Sequence, residues 1–174
     1  MTDRPMKRKY ARIERERRFS LKELPKQVDS EDFERLRDRY LDDTQVRLRL
    51  IESPDGSFLI AKLGQKIFNP EQPDNPRHRM MTTLYLTKDE WEVFAALSAS
   101  CSTKRRYKLV EQGWTFVIDV YEQPESVEGL IVAEVECDTD EQLEAIVCPT
   151  WAIRETTDEE GWSGAIFARG VVSL

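Results

Sequence analysis

Apolar and polar residues alternate along most of this chain in short runs, the period of a β-strand, in which residues two apart share a face. Such runs lie at about 11–19, 46–52, 58–67, 80–86, 104–110, 115–121 and 130–138. Turn-rich stretches separate them, at 53–56 (SPDG), 69–76 (NPEQPDNP), 111–113 (EQG) and 122–129 (EQPESVEG). Two segments switch to the helical period. Thr87-Lys-Asp-Glu90 has the form of a capping box, and Trp91, Phe94 and Leu97 follow as an apolar stripe expected to pack in the core. Residues 139–147 open with acids and carry Leu143, Ile146 and Val147 on one side. A short helix is expected near 162–168, although Gly161 and Gly164 weaken it. Ser30, Phe33, Leu36 and Tyr40 predict a short helix over about 30–37, followed by a strand. Short connections between so many strands imply an α+β domain with a mainly antiparallel sheet. Residues 1–9 (MTDRPMKRK) are expected to be a flexible lead-in to one domain spanning 10–174.

The alternation also sorts charge. Val46, Leu48 and Leu50 oppose Arg47 and Arg49; Leu59, Ala61 and Leu63 oppose Lys62 and Lys66; Lys104, Arg106 and Lys108 share a face. Phe116, Ile118 and Val120 oppose Asp119, while Ala133, Val135 and Cys137 oppose Glu134 and Glu136. Glu14, Glu16 and Arg18 fall together on the first strand. A soluble sheet whose charged face meets water usually mixes the signs. Here carboxylates cluster on the first and last strands and cations on the middle ones.

The predicted helices need an apolar sheet face to pack on. A closed sheet supplies it by turning its apolar face outward and its charged face in. An eight-stranded barrel has room inside for side chains or one small ligand. Cations crowded there repel by roughly 4 kcal/mol per pair at about 4 Å and an effective dielectric near 20. Carboxylates or a bound polyanion must offset that repulsion. Cations on one side and carboxylates on the other suit a polyphosphate that carries a hard divalent cation.

Composition narrows the choice further. The chain has 174 residues, with 26 Lys and Arg against 33 Asp and Glu, a net charge of −7. That balance argues against a broad basic face for nucleic acid, and no RNA-recognition aromatic motif is present. With one histidine, His78, multi-histidine metal sites and His-paired nucleophile schemes have little to draw on. His78 itself is expected in an exposed loop. Three cysteines without C-x-x-C spacing read as reduced thiols of a cytoplasmic protein. No apolar run approaches the ~18 residues of a membrane span, and no phosphate-loop motif occurs. Arg15 and Arg17, on the opposite face from Glu14 and Glu16, are expected to be solvated. Lys66, Lys108 and Arg12 are expected at the tunnel mouth or surface.

Glu14-x-Glu16-x-Arg18 followed by Phe19 resembles the E-x-E-x-K signature of the CYTH domain, or triphosphate tunnel metalloenzymes. The match continues in order through Tyr40-Leu-Asp, Arg47-x-Arg49, the Lys62 strand, Lys104-x-Arg106-Tyr107, Asp119 and Glu134-x-Glu136, to Trp151 and the TDEEGWSGA segment. The resemblance implies an antiparallel eight-stranded β tunnel with helices outside and a bound small-molecule triphosphate, with Mg²⁺ or Mn²⁺ as cofactor. Implied activities are those of inorganic, thiamine and RNA triphosphatases and of one class of adenylate cyclase, with inorganic tripolyphosphate the foremost substrate. A binding module without turnover is the alternative, and a homodimer is left open. By motif match, Arg18, Arg47, Arg49, Lys62, Lys104 and Arg106 would bind phosphates. Glu14, Glu16, Asp119, Glu134 and Glu136 would serve the metal, and Arg18, Tyr40 and Glu134 the reaction. The chain departs from the pattern in Arg18, where relatives carry lysine. Met81, Thr82 and Thr83 stand where a carboxylate is common, and Ala165 stands near a late lysine.

Overall fold

In the computed structural model, which describes residues 9–171, the alternating segments become nine strands of one antiparallel sheet. Most of the expected flexible stretch 1–9 lies outside the described residues. The strands are β1 (Arg12–Leu21), β2 (Glu34–Leu41), β3 (Val46–Glu52), β4 (Phe58–Phe68), β5 (His78–Leu86), β6 (Ala99–Glu111), β7 (Trp114–Gln123), β8 (Ile131–Cys137) and β9 (Arg154–Glu155). Their order is β5-β4-β3-β2-β6-β7-β8-β1, and β1 also pairs with β5 from Arg12↔Met81 to Arg15↔His78. Eight strands therefore close into a barrel, which removes the free edges of the sheet. The two-residue β9 adds to the far half of β1 at Phe19↔Glu155 and Ser20↔Arg154.

Two short α-helices lie between strands, α1 (Lys88–Ala95) and α2 (Asp140–Ala145), and a third, α3 (Gly164–Phe167), follows β9. Both longer ones start at the expected boundaries, because Thr87 and Thr139 each complete a reciprocal capping box, with Glu90 and Gln142. The apolar core lies outside the barrel wall. Phe19, Tyr107, Phe116, Ile118, Ala133 and Val135 project outward and meet Leu143 and Ile146 of the α2 segment.

Several expectations give way. Residues 34–41 form strand β2 in place of the helix expected over 30–37. Every residue of β2 finds a partner on β6, and most also find one on β3, more hydrogen bonding than one isolated helical turn can offer. Phe33 packs outside against Tyr107, whereas Leu36, Asp38 and Tyr40 share the opposite, inward face. The stripe on α1 is no core: Trp91 and Phe94 are half-buried and Leu97 is exposed, because the helix covers only part of the wall. His78 is buried on β5, its Nε2 2.6 Å from Asp140 Oδ1. Arg15 and Arg17 do face outward, yet they are anchors: Arg15 bonds Asp140, and Arg17 bonds Glu155 and the carbonyls of Leu143 and Ile146. They tie α2 and β9 to the barrel wall.

The segment around α3 packs on inward-facing residues. Phe167 meets Tyr121 edge-on at 5.2 Å between ring centroids and Trp162 at 5.9 Å, with Val132 in the same cluster. A Cβ on Gly164 would collide with the Tyr40 hydroxyl, so glycine permits the close approach. This segment stoppers one end of the barrel. No helix among the described residues is long and apolar enough to cross a membrane.

Candidate functional site

Strand register sets the lining. Tyr40 faces Arg47 and Asp38 faces Arg49 across β2 and β3, and Arg49 faces Lys62 on β4. Arg106 faces Asp119 across β6 and β7. Arg18 faces Glu134 and Glu16 faces Glu136 across β1 and β8. All the residues expected at the site point into one barrel interior, and they divide into a cationic wall and an acidic wall.

On the cationic wall two buried aspartates hold the cations in place. Asp38 accepts both Nε and Nη2 of Arg49, at 2.6 and 2.7 Å. Asp119 accepts both Nε and Nη2 of Arg106, at 2.6 and 2.7 Å, and Lys104 Nζ at 2.5 Å. Burial alone would raise both carboxyls; Arg49 and Arg47 around Asp38, and Arg106 and Lys104 around Asp119, outweigh it and hold them far below the ordinary range. Lys62 is the opposite case. Burial and the neighbouring Arg49 and Arg47 depress its pKa, and it makes no ion pair among the described residues. Arg47 also lacks an ion pair there, and lies by the Tyr40 hydroxyl. Five cations against two aspartates leave this wall with a positive surplus that an anion would relieve.

On the acidic wall, carboxylate oxygens of Glu14, Glu16 and Glu136 lie within 4.8 Å of one another. Glu16 is almost wholly buried, and its pKa is lowered to about 2: burial pushes it up, and Lys66 and Arg18 more than reverse that. Glu136 shifts the other way, raised by burial and by the charge of Glu14. Arg12, 3.7 Å from Glu136, and Lys66 only partly offset this, and three hard oxygen donors placed together suit a hard divalent cation. Asp119 stands apart from this cluster, among the cations. Glu134 lies between the walls, 3.7 Å from both Arg18 Nε and Arg106 Nη2.

Arg18 is a fixed part of the site. Its Nη2 donates to Glu16 at 2.8 Å and its Nη1 to the Trp162 carbonyl, linking the acidic wall to the stopper. The structure adds residues that the strand patterns left out. Asp38 falls just past the helix expected over about 30–37; the strand period carried back through Leu36 puts it on one face with Leu36 and Tyr40. Tyr121 reaches Lys104 Nζ at 3.4 Å. Lys66, expected at the tunnel mouth or surface, has its ammonium 2.6 Å from Glu16 and 3.3 Å from Glu14.

No protein-family model matches the sequence, and neither does any curated protein. Solved structures do match. The inorganic triphosphatase NE1496 superposes with a TM-score of 0.58 at 20% identity, over 92% of this chain and 97% of that one. The chain shares that protein's fold. A candidate adenylate cyclase from Bacillus halodurans superposes at 0.54 with 16% identity, over 78% of this chain and 86% of its own. A conserved hypothetical protein from Pyrococcus furiosus gives 0.51 and 16%, over 76% and 83%. At these identities the likeness concerns the fold alone.

Proposed function

We propose that this protein hydrolyses a small-molecule triphosphate, inorganic tripolyphosphate foremost, inside the tunnel and with a divalent metal. The observation that carries the reading is the surplus of cations at Arg47, Arg49, Lys62, Lys104 and Arg106, facing three clustered glutamates. The fold shared with an inorganic triphosphatase supports it.

Arg47 and Lys62, free of ion pairs among the described residues, take phosphate oxygens first. Arg49 and Arg106 present guanidinium forks already oriented by Asp38 and Asp119, so little side-chain entropy is lost on binding. Glu14, Glu16 and Glu136 hold Mg²⁺ or Mn²⁺, which when bound supplies Lewis-acid charge against the phosphate oxygens. Attack by water forms a new P–O bond at a terminal phosphorus as the P–O–P bridge breaks, giving orthophosphate and pyrophosphate. Lys104 and Arg106 stabilise charge growing on the leaving oxygen. Glu134, between the walls, accepts the proton of the attacking water. Arg18 and Tyr40 position the chain end next to the stopper. Arginine at this place keeps the charge and cannot give up a proton.

Purified protein with tripolyphosphate and Mg²⁺ or Mn²⁺ is expected to release orthophosphate; complete absence of release would exclude the hydrolase reading. The likeness to a candidate adenylate cyclase supports a second reading, conversion of ATP to a cyclic product. Product analysis separates the two, because cyclisation releases pyrophosphate and yields cyclic AMP.

A further inference from the structure

The ammonium of Lys66 touches the same named oxygen, Oε2, on both Glu14 and Glu16, at 3.3 and 2.6 Å. The other oxygens of these carboxylates are taken separately: Oε1 of Glu14 by Arg12 at 3.0 Å, and Oε1 of Glu16 by Arg18 at 2.8 Å. A cation shared by the two glutamates would use the Oε2 pair, so Lys66 occupies the bridging place. Its side chain is anchored on β4 and only a third exposed. On that strand Lys66 shares the inward face with Lys62, four residues away, and Gly64 lies between them with the unbranched Met81 side chain packed over it.

We propose that Lys66 is a tethered counter-ion of the acidic wall, displaced by the divalent metal and released toward the phosphates. The inference rests on the triphosphatase reading and adds a residue and an order of events to it. With Lys66 on the glutamates, the metal-free protein keeps its acidic wall neutralised. A divalent cation must break two ion pairs to enter. The freed ammonium then joins Lys62 and Arg47 on the cationic side, so that metal entry raises the charge offered to the triphosphate. Charge is conserved throughout, since one mobile cation exchanges its carboxylate partners for phosphate oxygens.

The experiment compares wild type with Lys66→Met. Arg12→Met is the control: its largely exposed guanidinium spans Glu14 Oε1 and Glu136 Oε2, at 3.0 and 3.7 Å, and leaves the Oε2 pair of Glu14 and Glu16 untouched. Mn²⁺ binding in the absence of tripolyphosphate is followed by the electron paramagnetic resonance of the free ion. Lys66→Met is expected to bind Mn²⁺ roughly tenfold more tightly, a typical size for coupling between two sites, and Arg12→Met much less so. Tripolyphosphate affinity in excess chelator is expected to be nearly unchanged, because Lys66 is then held by the glutamates. With saturating Mn²⁺, the variant's KM for tripolyphosphate is expected to rise. Lys66→Gln gives the same readouts if the methionine variant does not fold. Loss of affinity in the chelated protein, or Mn²⁺ binding no tighter than that of the Arg12 control, overturns the proposal alone. If neither wild type nor the Lys66 variants bind Mn²⁺, the triphosphatase reading falls with it.

Discussion

The ionisation of a carboxyl depends on the company it keeps, and the buried Glu16 and the more exposed Glu136 shift in opposite directions within one cluster. Glu16 touches two cations, and its pKa falls from 4.5 to about 2. A carboxyl whose folded pKa is depressed adds stability that is fully present above its unfolded value and lost as pH falls through the folded one. Its contribution is therefore expected to disappear between about pH 4.5 and about pH 2. Chemical denaturation across this range should show a fall in stability that Glu16→Gln flattens. Glu136 is raised, so folding favours its protonated form and its ionisation costs stability until a cation arrives. Glu14 and Glu16 were legible in the sequence as metal candidates because alternation placed them together. Their dependence on Lys66 was not legible, since 50 residues separate Lys66 from Glu16 and only barrel closure brings them into contact.

At the scale of elements, the strands were legible where one face is mainly apolar, as in β3, β7 and β8. β2 was not, because Leu36 among Arg35, Arg37 and Asp38 fits either period, and two neighbouring ladders decided in favour of the strand. The helices started where their threonine caps predicted, but capping says nothing about burial. α2 sinks Leu143 into the wall while α1 buries no residue fully. α3 is only four residues long, yet it closes the end of the tunnel through Phe167 on Tyr121 and Gly164 against Tyr40. Gly164→Ala would push a methyl group into Tyr40, and overpacking of this kind costs about 1–3 kcal/mol. A lower urea midpoint with an unchanged m-value is the expected result, together with slower turnover as Tyr40 shifts. An unchanged midpoint would mean that the stopper gives way freely.

For the molecule as a whole, a net charge of −7 conceals a local surplus of the opposite sign. The barrel separates the two: acids predominate in the chain, while five of its cations converge inside around two aspartates. Enclosure makes each interior charge count for more than it would at the surface, because water and salt screen it less. Filling the tunnel should therefore stabilise the fold. A ligand at 100 times its dissociation constant adds about 2.7 kcal/mol. Tripolyphosphate is expected to raise the melting temperature measurably, and orthophosphate at equal concentration much less, since it spans fewer of the cations. Equal shifts for both would argue against a site built for a chain of phosphates.

The sequence by itself determined which residues face which way. Period-2 alternation is a local property of extended backbone, so it sorted Glu14, Glu16, Arg47, Arg49, Lys62, Lys104, Arg106, Asp119, Glu134 and Glu136 onto one set of faces without reference to the rest of the chain. Tertiary structure alone decided which of those faces meet: Lys66 on the glutamates, Asp38 under Arg49, His78 beneath α2, and α3 across the end of the barrel. Each of these contacts joins segments that closure or strand register brings together, and neither is fixed by the pattern within any one segment.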